Sequence, residues 1–269
     1  MSAFAAVQMC SGTDVTVNLR EAGKLMAKAA AQGAELVVLP ENFALMARSD
    51  EERVAAGEVD GSGQIQDFLA EKAQTLKLWI VGGTVPVLAS REQVYARCPV
   101  YDPQGRRVAF YDKIHLFDVQ VGAAESYKES ARTEAGSKPV VVVTPFGKLG
   151  LAVCYDLRFP ELFRALVAQG ATCFAVPSAF TKTTGQKHWE VLVRARAVEN
   201  LSFLVASAQG GHHANGRDTW GRSLLVDAWG EVVAERRDAE PGVVTGTFDP
   251  VQQQRLRGKF PALSHRKLV

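Results

Sequence analysis

No apolar stretch in these 269 residues approaches the roughly 20 that a membrane-crossing helix needs, so no membrane span is expected. The opening MSAFAAVQMCSGTD has no basic start and its apolar run is broken at Gln8, so a secretory signal is not expected either. The four cysteines, at 10, 98, 154 and 173, show no CxxC spacing. Without an export signal they read as free thiols in a reducing compartment, the cytoplasm, and three of them as small buried hydrophobes. An excess of one charge is also lacking. Lys plus Arg number 31 against 29 Asp plus Glu, a net +2, which gives no electrostatic reason for a nucleic-acid or membrane partner. The basic residues near the end (Arg255, Arg257, Lys259, Arg266, Lys267) read as a solvated face. The Gly82-Gly83-Thr84 stretch lacks GxGxxG spacing and no GK[ST] follows any glycine loop, which argues against a nucleotide site. No low-complexity linker divides the chain, so a single domain over 1–269 is expected.

What is present is an alternation of buried strands and amphipathic helices. Hydrophobic residues make up 47%, enough for a sizeable core. Residues 3–9, 35–40, 78–83, 139–144, 148–154, 172–177, 203–208, 223–228 and 243–248 read as strands, and 94–113 as two strands joined by the turn Asp102-Pro103-Gln104-Gly105. Helices are expected over 18–32 with Gly33 as stop, over 63–76 capped by Ser62, from Pro160 to Gln169 before Gly170, and over 188–200. The pattern is that of a mixed α/β fold. The stretch from Asp118 to Ser137 reads as a surface loop beside a site.

Three residues invite a chemical reading. Cys154 closes the strand-like GLAV, where a nucleophile would stand at a sheet's carboxyl edge and the backbone N–H groups after it could hold an oxyanion. A thiol needs a base near neutral pH. None of His115, His188, His212, His213 and His265 has the context of a cysteine-protease base, and the adjacent His212-His213 pair has no carboxylate or cysteine at ligand spacing, so no metal is expected. Glu41 follows the strand LVVLP and Lys113 follows VAFYD. A carboxylate there suits a general base and an ammonium an oxyanion partner. Each also has an ordinary reading: Cys154 as core, Glu41 as a cap or surface charge, Lys113 as a snorkelling surface lysine. Three strands ending in Glu, Lys and Cys are more specific than any one of them, and a parallel arrangement would bring them to one edge.

With VVLPENF (37–43), FYDKIHLFD (110–118) and GLAVCYDLRFPELFR (150–164) in order, the chain resembles the nitrilase superfamily of carbon–nitrogen hydrolases over nearly its whole length. The resemblance implies a four-layer αββα sandwich, a homodimer, and no cofactor. It implies the catalytic roles of Glu41, Lys113 and Cys154, and a second glutamate at Glu129. It also implies that Phe180 and Thr184 line the substrate pocket. AQGGHHANGRDTWGRSLLVD (208–227) resembles the deaminated glutathione amidase branch, which implies hydrolysis of that amide to 2-oxoglutarate and cysteinylglycine through a thioester. The backbone N–H of Tyr155 is expected to share the oxyanion with Lys113. Arg158, four residues past the nucleophile, has the planar fork that suits a 2-oxo acid carboxylate, with pairing to Glu161 or Asp156 as its structural alternative. The alternatives in function are an omega-amidase acting on 2-oxoglutaramate, a nitrile or N-carbamoyl hydrolase, and a non-catalytic binding module.

Overall fold

The computed structural model describes residues 1–121 and 125–267. Two sheets lie face to face with helices on their outer faces, the four-layer arrangement expected. The first sheet has eight strands. Ser2–Gln8, Leu36–Val38 and Trp79–Val81 run parallel at its centre, Gly242–Phe248 is antiparallel on one side, and Val94–Tyr101 is antiparallel on the other. Val85–Leu88, Arg107–Asp112 and Thr133–Glu134 all pair with Val94–Tyr101. The second sheet has six strands. Its parallel centre is Gly147–Leu151, Cys173–Ser178 and Phe203–Ala208, with Val141–Thr144, Leu224–Val226 and Val232–Glu235 antiparallel outside.

The strand sequences explain the layers. Strands buried on both faces read as near-continuous apolar runs, as AFAAV and LVV do, and the period of two sorts alternate residues between the layers. Phe4, Ala6, Leu36 and Val38 face the second sheet, while Ala5, Val7 and Val37 face the helices. Phe4 is the centre of the inter-sheet layer, with ring centroids 5.2 Å from Phe146, 5.5 Å from Phe248 and 5.9 Å from Phe203. Burying such a ring contributes about 2–3 kcal/mol.

Among the described residues six α-helices cover the outer faces and edges: α1 (Val15–Ala31), α2 (Asp50–Ala55), α3 (Gln64–Leu76), α4 (Pro160–Ala168), α5 (Lys182–Asn200) and α6 (Pro250–Lys259). The α1 stripe Leu19, Ala22, Leu25, Met26 and Ala29 packs on the first sheet beside Ile65, Leu69 and Ala73 of α3. Leu162, Phe163 and Leu166 of α4 and Trp189, Val193 and Ala197 of α5 pack on the second.

Three helix starts depart from expectation, each for a capping reason. α1 begins at Val15, because the Asp14 carboxylate accepts from Val17 N at 3.0 Å. α3 is capped by Gly63, not Ser62; the Glu58 carboxylate, arriving from outside the helix, accepts from Ile65 N and Gln66 N. α5 starts at Lys182, six residues before His188, with Thr181 accepting from Thr184 N. Gly185, which argues against helix in the sequence, is required inside it: a Cβ there would lie 2.3 Å from Trp220 Cβ. The stretch 118–137 is not one long loop. It contains the hairpin Asp118–Gln120 with Ser126–Lys128, a 3₁₀ turn Glu129–Ala131, and the strand Thr133–Glu134.

Candidate active site

Glu41, Lys113 and Cys154 each follow a strand whose carboxyl end points the same way, but the three strands do not share one sheet edge. Glu41 and Lys113 come from the first sheet and Cys154 from the second. The two sheets meet at those ends through a parallel bridge between Met9 and Gln209, with Gly210 N donating to Met9 O at 2.8 Å.

Glu41 is fixed by its backbone. Leu39 N donates to Val81 O at 2.9 Å, Asn42 N to Thr84 Oγ1 at 2.8 Å, and Gln209 Nε2 to Glu41 O at 3.1 Å. Gly83, at φ 58°, passes directly beneath, where a Cβ would stand 2.2 Å from Pro40 O. Lys113 ends the Arg107–Asp112 strand and is 2% exposed. Its Nζ donates to Glu41 Oε1 at 2.7 Å and to Glu129 Oε2 at 2.8 Å and Oε1 at 3.1 Å. Glu129 also accepts from Phe117 N at 2.7 Å, which fixes the loop after Lys113 to the same carboxylate.

Cys154 opens the 3₁₀ turn Cys154–Arg158 at φ 49°, a left-handed conformation that costs a non-glycine residue about 1–2 kcal/mol. The turn is held by Asp156, fully buried, which accepts from Val153 N at 2.7 Å, Tyr111 Oη at 2.8 Å and His115 N at 3.2 Å, and lies 2.7 Å from His115 Nδ1. Through Asp156 the nucleophile turn and the segment after Lys113 are tied together. Ala179 N points its hydrogen at Cys154 Sγ, 3.5 Å away.

Burial and the neighbouring Glu41 carboxylate push the Cys154 thiol well above its usual range, and Lys113 offsets only part of this. Burial works to lower the Lys113 pKa, but the attraction of Glu129 and Glu41 outweighs it and raises it above the ordinary range. The site thus sets a thiol whose ionisation is disfavoured beside the Glu41 side chain and an ammonium whose charge is favoured. That is a set able to move one proton and to hold one developing negative charge in a dry setting.

A cavity of about 290 Å³ opens over these groups. All eight residues singled out in the sequence line it: Glu41, Lys113, Glu129, Cys154, Tyr155, Arg158, Phe180 and Thr184. Arg158 does not pair with Glu161 or Asp156. Its Nη1 and Nη2 both lie 3.3 Å from His188 Nδ1, and its guanidinium stands 5.5 Å from the Phe180 ring centroid and 5.7 Å from that of Tyr155. Burial and then Arg158 lower the His188 pKa, which favours the neutral ring that can accept from Arg158. Thr184 Oγ1 is 3.0 Å from Thr181 Oγ1 at the start of α5.

None of the five histidines lines the cavity. His213 Nδ1 donates to Ser11 O, its Nε2 lies 2.7 Å from Thr219 Oγ1, and His212 pairs with Asp218 on the surface. The described residues contain no cluster of three or more His, Cys, Asp or Glu that could hold a metal ion. Of the three cysteines read as buried hydrophobes, Cys98 and Cys173 are buried and Cys10 only half-buried, with Sγ donating to His212 O. Sequence reasoning did not assign Asp156, Thr84 and Ala179 as supports of the three groups, nor Gln209 as the residue that holds the Glu41 carbonyl. Gln209 stood out only as part of a branch-like stretch.

The carbon-nitrogen hydrolase family profile matches residues 4–257. A deaminated glutathione amidase of Synechocystis sp. (strain PCC 6803 / GT-S) is 41% identical over 98% of both chains. The chloroplastic omega-amidase of Arabidopsis thaliana is 34% identical over 97% of this chain and 71% of that one. Saccharomyces cerevisiae Nit3, described as a member of branch 10 of the nitrilase superfamily, superposes with a TM-score of 0.88 at 29% identity, over 99% of this chain and 97% of that one. A thiol, a carboxylate and an ammonium meeting at the joint of two sheets, in a chain matched almost from end to end, make this protein a member of the carbon-nitrogen hydrolase family.

Proposed function

We propose that the chain, as one catalytic domain over residues 1–269, hydrolyses deaminated glutathione to 2-oxoglutarate and cysteinylglycine through a thioester on Cys154. The observation that supports it most is Lys113 Nζ lying between Glu41 and Glu129 in the cavity that Cys154 lines. In this reading Glu41 takes the thiol proton as substrate arrives, and the sulfur attacks the amide carbon. The Lys113 ammonium and the Tyr155 backbone N–H hold the charge that builds on the carbonyl oxygen. Removing one such donor costs about 3–4 kcal/mol in transition-state stabilisation. Glu41 hands its proton to the leaving amine, then activates the water that cleaves the thioester. Glu129 keeps Lys113 charged and aimed. Arg158, backed by neutral His188, receives the 2-oxo acid carboxylate, while Phe180 and Thr184 wall the acyl chain. No cofactor takes part in this scheme.

The second reading, an omega-amidase releasing ammonia from 2-oxoglutaramate, is favoured by the Arabidopsis relative and uses the same residues. Parallel assays of the two amides decide between them: the proposal expects deaminated glutathione to have the higher kcat/KM, and the reverse order assigns the enzyme to 2-oxoglutaramate. We also propose a homodimer in the cytoplasm. Exposed Val191, Val198 and Trp229 share one surface, and Phe260 stands edge-on to Trp229 at 5.4 Å, an apolar patch suited to a second copy. Four free thiols fit a reducing compartment.

A further inference from the structure

The cavity carries more positive charge than the reaction scheme uses. Six cationic side chains line it against three carboxylates, Glu41, Asp50 and Glu129. Lys113 is consumed by Glu41 and Glu129, Arg53 is paired with Asp50, and Arg48 is paired with Glu52. Lys128 is exposed to water. Arg158 and Arg217 remain, and their guanidinium hydrogen bonds go to the His188 ring and to a main-chain carbonyl, Ala179 O, not to a carboxylate.

Arg217 is held as a receptor would be. It sits in the turn between the strands Gly210–His212 and Asp218–Trp220. That turn is closed by His213 N donating to Arg217 O at 2.9 Å and by Arg217 N donating to Asn215 Oδ1 at 3.0 Å. Its Nη2 donates to Ala179 O at 2.9 Å, on the same residue whose N–H points at the nucleophile, and its guanidinium stacks 5.0 Å from the Tyr127 centroid. Its Nε is buried without a hydrogen-bond partner, and among the described residues it is the one such side-chain atom that belongs to a cavity-lining residue. A cavity-lining guanidinium whose side-chain hydrogen bond goes to a main-chain carbonyl and not to a carboxylate is an unbalanced charge, and an anion bound in the cavity would balance it.

The position of the turn indicates which end of the substrate this would be. Asn215 Nδ2 donates to Ala47 O, which bonds the Arg217 turn to the segment that follows Glu41. In the proposed reaction the leaving amine receives its proton from Glu41 and so departs on that side. Arg158 belongs to the nucleophile turn and faces α5 through His188.

We propose that Arg217 binds a carboxylate on the leaving-amine half of the substrate, making the enzyme selective for amides whose amine is an anionic peptide. The inference rests on the amidase reading above and deepens it. Deaminated glutathione has such a group, the terminal carboxylate of cysteinylglycine, and 2-oxoglutaramate has none.

The test compares two substrates on one protein: deaminated glutathione, and the same molecule with its glycine carboxylate converted to a carboxamide. Because both are read on the same preparation, a general loss of activity cancels in the ratio of their kcat/KM values. In the unaltered enzyme the ratio favours the carboxylate. In Arg217→Gln, which keeps a donor for Ala179 O but removes the charge, the ratio falls by about 10- to 100-fold, mostly through KM. Arg217→Lys, which keeps the charge and loses the fork, recovers part of it. A ratio the same in Arg217→Gln as in the unaltered enzyme overturns the assignment of Arg217 while leaving the amidase reading in place. Failure of the unaltered enzyme to cleave either substrate overturns the amidase reading itself, and this inference with it.

Discussion

The central group of the site is Lys113, whose Nζ is the one atom shared by both glutamates. Removing water from an ammonium costs several kcal/mol, and one carboxylate does not restore it unless the remaining N–H groups also find acceptors. Glu129 supplies two of them, at 2.8 and 3.1 Å, and in accepting from Phe117 N it also sets where the loop stands. Glu129→Gln keeps the shape but removes the charge. It should lower kcat by about 10²- to 10³-fold with little change in KM, measured by steady-state kinetics on deaminated glutathione. A variant with unchanged kcat would show that the Glu129 charge does not support Lys113 in the reaction. The three main residues were legible because each stands just past a strand-like run, Glu41 and Cys154 after buried ones, and because a Glu beside a buried strand is expensive without a purpose. Asp156 was not legible, since its partners Tyr111 and His115 lie more than 40 residues away and nothing local to YDLR points to them.

At the level of elements, the turns after the strands do the positioning. The strands were readable from apolar runs and alternation; the α1 and α5 starts were not, since Asp14 lies ahead of the apolar stripe and Gly185 argues against the helix that contains it. The turn at Pro40–Asn42 shows how tightly such segments fit. Gly83 has a positive φ and lies under Pro40 O, so Gly83→Ala meets both backbone strain and a 2.2 Å clash with a main-chain atom. The variant should lose roughly 2–4 kcal/mol of stability, read by urea unfolding, together with most of its kcat, because relief of the clash moves Glu41. A folded variant of normal stability and full activity would show that the turn has slack that the structure denies.

For the whole molecule, the consequence of two stacked sheets is a deep core that contains three thiols: Cys98, Cys154 and Cys173. Burial raises all three, Cys173 to about 12 and the other two well above the free value. In the unfolded chain these thiols ionise near 9, whereas in the folded chain they keep their protons. Above pH 9 the unfolded state therefore binds fewer protons, and stability falls as pH rises. The effect is absent below pH 8 and steepens above 9, at up to about 1.4 kcal/mol per pH unit for each thiol. Urea unfolding at pH 7.5, 9 and 10 should show this decline; a flat profile to pH 10 would mean that the core admits water to these groups. The joining of two sheets at Met9 and Gln209 was the least legible feature of all, because a single bridge between strands 200 residues apart leaves no local trace. The sequence pattern pointed to three strand ends on one edge, and the molecule builds the site across two.

That joint lets a sulfur from one sheet form a bond beside a carboxyl group and an ammonium from the other. Rapid-quench mass spectrometry of the enzyme turning over deaminated glutathione tests this most directly. A transient 2-oxoglutaryl adduct is expected on the peptide containing Cys154, absent in Cys154→Ala, which should also lack turnover. Product formation by Cys154→Ala, or an acyl group found on any other residue, would contradict it.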